Sequence, residues 1–349
     1  MAITTVIPSH KFKYATGKQS AFGTPAANPD YQTPVYTASL LPQETRTDID
    51  VIQGSAYASV GQLKSQAFGA GDVEWASLAA SLPRYCAMHF GTASDTVTGA
   101  GDPYTHTMVR KDTQLPHTIW VSKPAAGGTF EHDRLQDCVA KTLTFRYANG
   151  ELFHVPTSIL AGSSTGIATA PTPGTTETVT PTLYGHTWRG ATLLLDIDAT
   201  PAVTAVTTLQ NFEITCDYPD AALLWTQNLN PDFLSMGRWT MGMTASYIVS
   251  DWSYFNATFY GSKTPSANTA QSPTVFKGAA TFTIQQEPSS ANRTVVITMP
   301  SLNMWLDPPS PDAGGGPIIA TLHAQLQDPG VGVDPITVAV KSAVATSFS

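Results

Sequence analysis

Apolar and polar residues alternate through much of this 349-residue chain, and a two-residue period favours half-buried β-strands. The segment "NFEITCDY" carries the pattern most cleanly. Phe212, Ile214, Cys216 and Tyr218 fall on one side, and Asn211, Glu213, Thr215 and Asp217 on the other. "KTLTFRY" sets Leu143, Phe145 and Tyr147 against Thr142, Thr144 and Arg146, and "ATFTIQ", "TVVITM" and "PITVAVK" continue in the same style. β-Branched and aromatic residues fill these runs, as antiparallel strands prefer. Asn149-Gly150, inside "FRYANGELFHV", predicts a hairpin.

Helix is scarce. "SLPRYCAMHFG" predicts one short helix, with Ser81 as N-cap, Pro83 in the first turn and Gly91 as the stop. Leu82, Tyr85, Cys86 and His89 share a face of it. "PDAALLWTQNL" gives a second, weaker helical signal. Residues 1–48 show little periodicity and hold Pro8, Pro25, Pro29, Pro34 and Pro42, so they read as an extended N-terminal arm and inter-subunit loop. Twenty extended residues reach about 65 Å, beyond the bounds of one subunit. Residues 49–349 read as a β domain of two strand-rich halves, 49–165 and 183–349, joined by a polar loop over 166–182. The expected fold is all-β, a sandwich or barrel-like body with one short flanking α-helix and an extended arm.

Composition narrows the function. Charged residues make up 13% of the chain, about half the roughly 25% usual for soluble domains, which favours burial of the surface in an assembly. The net charge of -8 and the absence of any Lys/Arg run argue against a tight grip on nucleic acid, which needs a positive surface. Three widely spaced cysteines, Cys86, Cys138 and Cys216, read as reduced and buried. "MAITTVIPSHKFKYATG" lacks the apolar core of a signal peptide, and no window has the apolar length of a membrane helix. The chain is therefore expected to be made and kept soluble inside a cell.

Two GAGD stretches, Gly69–Asp72 and Gly99–Asp102, bear on enzymatic chemistry. Neither has the third glycine of a dinucleotide loop or a Walker lysine, so both read as turns or bulges. Glu131, His132 and Asp133 alternate sides of a strand and cannot all chelate one ion. His106, close to Asp102 in sequence, reads as a hydrogen-bonded structural histidine rather than a metal ligand, and no nucleophile elbow is present. No catalytic residue, metal or cofactor is expected. The seven tryptophans, spread over separate strands, read as core or subunit contacts. "DWSYFNATFY" is the one aromatic cluster that reads equally as an interface, carried by Trp252, Tyr254 and Phe255, or as a core strand.

The order of segments adds to this. "GQLKSQAFGAGDVEW", "SLPRYCAMHFG", "GAGDPYTHTMV", "LPHTIWVSK" and "DCVAKTLTFRYANGELFHV" come first. "LQNFEITCDYPDAALLW", "GRWTMGMTASYIVSDWSYFNATFYG", "GAATFTIQ" and "TVVITMPSLNMWL" follow. Over most of residues 49–344 this order resembles the tail tube (major tail) proteins of long-tailed bacteriophages. The resemblance implies a non-enzymatic virion protein, made in the host bacterial cytoplasm, whose hexameric rings stack into the tail tube. The implied partners are sister subunits, a tape-measure protein in the lumen, tail terminator and distal tail proteins, and DNA in transient passage, with no membrane insertion by this chain. Glu213 and Asp217 are the lumen-facing candidates, the alternative being that they face outer solvent. A β-sandwich adhesin or carbohydrate-binding module is the competing expectation.

Overall fold

Alternating side chains become alternating burial once the strands are laid together. The computed structural model describes residues 11–49, 61–76, 78–125, 129–177, 189–196, 203–206, 208–250, 252–262, 264–266, 270–272, 276–285, 293–309 and 316–348. In chain order the first half holds β1 (Lys13–Lys18), β2 (Tyr31–Thr33), β3 (Val35–Ala38), β4 (Leu41–Ile49), β5 (Gly61–Trp75), α1 (Leu82–Phe90), β6 (Asp95–Thr98), β7 (Tyr104–Val109), β8 (His117–Pro124), β9 (Phe130–Ala148), β10 (Val155–Ala161), β11 (Ser163–Ile167) and β12 (Thr175–Thr176). The second holds β13 (Arg189–Asp196), β14 (Val203–Val206), β15 (Leu209–Asp217), β16 (Ala222–Leu224), β17 (Phe233–Ser235), β18 (Thr240–Ile248), α2 (Ser253–Tyr260), β19 (Phe276–Gln285), β20 (Thr294–Leu306), β21 (Ile319–Leu326) and β22 (Thr337–Ser342). The protein is all-β with short helices, as its sequence predicts.

One layer runs β5–β10–β9–β15–β18–β21 and ends on the C-terminal part of β20. A second layer runs β14–β13–β19–β20–β22–β7–β6. The two meet face to face where Phe212 of β15 stacks on Phe282 of β19, ring centroids 4.0 Å apart, with Tyr147 and Phe153 around them. Burying each such ring stabilises the fold by roughly 1.5–3 kcal/mol. A third group, β12–β2–β1–β8, joins the N-terminal part of β9, which also carries β11.

Two long strands each serve two groups. β20 pairs with β22 through Val295–Thr298 and with β21 through Leu302–Leu306. β9 changes partners where Asp137 takes a φ of 56°, a left-handed conformation that aspartate tolerates better than most residues. The register against β8 shifts there, and the register against β10 shifts again near Lys141. Two bulges so close together turn the strand from one sheet into the next.

α1 begins after Ser81 and stops at Gly91, as read from the sequence, but all nine of its residues are buried rather than one face. Trp75 stacks on Tyr85 at 4.7 Å, so β5 covers one side of the helix, while His89 reaches β9 on another. The Ser81 hydroxyl does not cap the helix. It bonds back to the Leu78 carbonyl at 3.2 Å.

Several expectations need correction. A second helix, α2, occupies "SYFNATFY" where the sequence suggested a strand, and Gly261 ends it with φ 72° and an N–H bond to the Ala257 carbonyl. "PDAALLW" forms no helix, because Ala222–Leu224 pairs with Phe233–Ser235 as a small hairpin. The N-terminal segment is no free arm from residue 11 onward. β1 inserts between β2 and β8, and Tyr14 is buried at its centre; residues 1–10 lie outside the described residues. What does leave the body is the hairpin β4–β5. β10 pairs only with Gly69–Trp75 and the Ala67 N–H donates to the Leu229 carbonyl, so over Leu63–Gln66, about 13 Å, β5 has β4 as its one strand partner among the described residues. The polar stretch is tied down as far as Glu177, through β11, β12 and a buried Arg84–Glu177 ion pair at 2.8 Å, while 178–182 lies outside the described residues. The first GAGD lies inside β5, neither turn nor bulge: a Cβ on Gly71 would stand 2.6 Å from Leu40 backbone atoms, so glycine is needed for close approach. The second GAGD is the expected turn, between β6 and β7.

Candidate functional site

The first layer buries one face in the core, and its other face carries side chains in straight cross-strand rows. One row runs Arg146, Glu213, Thr244, His323, Trp305 from β9 to β20. The next runs Thr144, Thr215, Gly242, Gln325, Asn303. Flanking them are Ala148, Asn211, Ser246, Thr321 on one side and Thr142, Asp217, Thr240 on the other. Threonine suits a pleated strand through its branched Cβ, and its hydroxyl finds a partner on the next strand. Thr144 and Thr215 approach at 3.3 Å, and Ser246 and Thr321 at 3.4 Å. The result is a wide face that water wets but that carries few formal charges.

Both predicted acids stand on this face. Asp217 accepts a 2.6 Å bond from the Thr142 hydroxyl. Glu213 is exposed and makes no ion pair among the described residues. His323 donates from Nε2 to Asp307 at 2.9 Å and turns Nδ1 toward the Thr244 hydroxyl. Trp305, 42% exposed, stacks on the His323 ring at 5.5 Å. Sequence reasoning passed over His323 and read Trp305 with the other tryptophans as core or subunit contact, although parity marks it as outward: in "SLNMWL", Leu302, Met304 and Leu306 are the buried set.

The predicted interface trio separates. In a helix, positions 252, 255 and 259 share a stripe: Trp252 packs edge-on to Phe255, which stacks on Phe259 at 4.3 Å. Tyr254 turns inward against Tyr247 and is buried, so it presents nothing to a partner. Trp252 is exposed and Phe255 half-buried.

Elsewhere the titratable groups serve structure. Cys86, Cys138 and Cys216 are free and buried, and burial pushes each thiol pKa upward. His89 donates from Nδ1 to the Ala140 carbonyl at 2.9 Å and accepts from the Trp239 indole at 3.0 Å, which fixes a neutral tautomer. His106 bridges Asp95, at 2.9 Å, and the Val344 carbonyl, at 2.8 Å, while Phe348 N–H also donates to Asp95. His106 is thus the hydrogen-bonded structural histidine expected of it, while Asp102 pairs with Arg293 and Asp133 with Lys123. Among the described residues no three His, Cys, Asp or Glu side chains gather as a metal site. No protein-family model matches this chain, and no curated protein sequence is significantly similar to it.

Proposed function

We propose that the chain is a structural, non-enzymatic virion subunit whose hexameric rings stack into a phage tail tube around a tape-measure protein and later conduct DNA. The observation that carries this reading is the hydroxyl-lined outer face of β9–β15–β18–β21, wide, wetted and poor in positive charge. A conduit wall of that chemistry holds water without binding phosphates, and Glu213 and Asp217 add repulsion felt across about 8 Å at physiological salt. On this reading these two residues face the lumen.

Two further features support subunit contacts. Over Leu63–Gln66 the β4–β5 hairpin has an outer β5 edge that no strand pairs among the described residues, and such an edge invites strand pairing with another chain. Phe22 and Phe233, both exposed, line a groove of about 590 Å³ with Leu223 and Leu234, apolar surface that a neighbour would cover. The N-terminal segment from residue 11 to 38 no longer contributes, because it belongs to the subunit's own sheets. The carbohydrate-binding alternative calls for a platform of neighbouring exposed rings, whereas Trp252 and Trp305 stack on different elements.

The test is electron microscopy of concentrated purified protein, with tails from assembled virions as the second specimen. Sixfold rings or tubes are the expected result. A monomer at every concentration, together with a tail tube that does not contain this chain, overturns the reading.

A further inference from the structure

On the outer face, over Gly242, lies a pit of about 240 Å³. A Cβ at Gly242 would meet nothing within 4 Å, so the missing side chain itself opens the floor. Glu213 and Thr215 of β15 form one wall, His323 and Gln325 of β21 the other, with Thr244 and Trp305 completing the rim. The lining is rich in acceptors: a carboxylate with no ion pair among the described residues, two threonine hydroxyls, an amide oxygen and the His323 Nδ1, whose ring is held by Asp307. Among the described residues no Lys or Arg lines the pit, and Arg146 stands across the register on the far side of Glu213. An exposed indole adds an electron-rich surface, which attracts cations.

We infer that this pit is a binding site for an alkylammonium group, held by charge-assisted hydrogen bonding to Glu213 and by contact with Trp305. The ammonium presents three donors, which the carboxylate, the Thr215 and Thr244 hydroxyls and the Gln325 carbonyl are placed to accept. An anion meets Glu213 as a like charge, and an apolar group leaves that carboxylate desolvated without a partner. The site belongs to each single subunit and does not depend on how subunits assemble.

The probe is cadaverine, titrated into the full-length soluble chain while the Gly242 amide and Trp305 indole resonances are followed by NMR. Both resonances are expected to shift saturably. Glu213→Gln weakens the apparent affinity by about tenfold, as loss of one charge-assisted contact implies, and high salt weakens it similarly. Gly242→Val fills the floor with a side chain that suits a strand and abolishes the shift of the Trp305 indole resonance without unfolding the protein. N-acetyl-lysine amide, run in parallel, separates the sources: binding of cadaverine alone assigns a free polyamine, and equal or tighter binding of the lysine amide assigns a polypeptide side chain. Failure of both to shift the two resonances, an equal response to 1-pentanol, or an undiminished response in Glu213→Gln overturns the proposal.

Discussion

His89 and His117 sit fully buried, and burial pushes their pKa values down to about 4 from an ordinary 6.5. A depressed histidine pKa means that the unfolded chain takes up protons first as the pH falls. The stability held by the neutral rings is therefore complete above about pH 6.5 and lost as the pH drops through 4, roughly 3 kcal/mol apiece. Thermal melts followed by circular dichroism should be flat in this contribution above pH 6.5 and fall steeply toward pH 4. The double variant His89→Gln, His117→Gln should flatten that slope, and an unchanged slope refutes the assignment. Asp137 gives a second test. Its positive φ and the 2.8 Å bond it accepts from the Gly23 N–H both fail in Asp137→Val, which should cost roughly 1–3 kcal/mol in urea unfolding, with Asp137→Asn nearly neutral. Residue parity was readable in the chain, as Glu213 and Asp217 demonstrate by sharing a face. The Asp137 conformation was not, because nothing local in "LQDCVA" signals that a strand changes sheets there.

Among elements, the C-terminal strand and tail are fastened from inside. Asp95 on β6 receives His106 from β7 and the Phe348 N–H from the tail, in a site closed to solvent. Removing one member of a buried pair strands the other, so Asp95→Ala should destabilise the protein by about 3–5 kcal/mol, read from equilibrium denaturation. The β4–β5 hairpin predicts the opposite kind of outcome. Replacing its outer half with a tight turn removes no core residue among the described ones beyond its base, so the melting temperature should hold while ordered assembly, viewed by electron microscopy, is lost. Full assembly by the shortened chain would remove the hairpin from the contact. α2 shows why element type escaped a reading by alternation. Aromatics at 252, 255 and 259 fit a helical stripe, yet "DWSYFNATFY" is short enough for either period to fit.

For the molecule as a whole, the outer face of the first layer sets the expected electrostatics. Exchanging Glu213 and Asp217 for lysine turns the Asp217 row from negative to positive and leaves the Glu213 row, where Arg146 balanced the carboxylate, positive as well. Assembled particles of Glu213→Lys, Asp217→Lys should retain DNA in a salt-dependent manner that wild-type particles lack, measured by co-sedimentation; equal retention by both argues that this face lies away from any DNA path. By itself the sequence determined the all-β class, α1, the β9–β10 hairpin and the inward side of the clearly alternating strands such as β15, since side-chain alternation and turn residues act within a few positions of the chain. Only the tertiary structure decided which strands become neighbours, that β1 belongs to the body, and that Glu213, His323 and Trp305 meet around an open glycine. Those outcomes depend on register between strands far apart in the chain, more than two hundred residues for β7 and β22, and no local pattern encodes register across that distance.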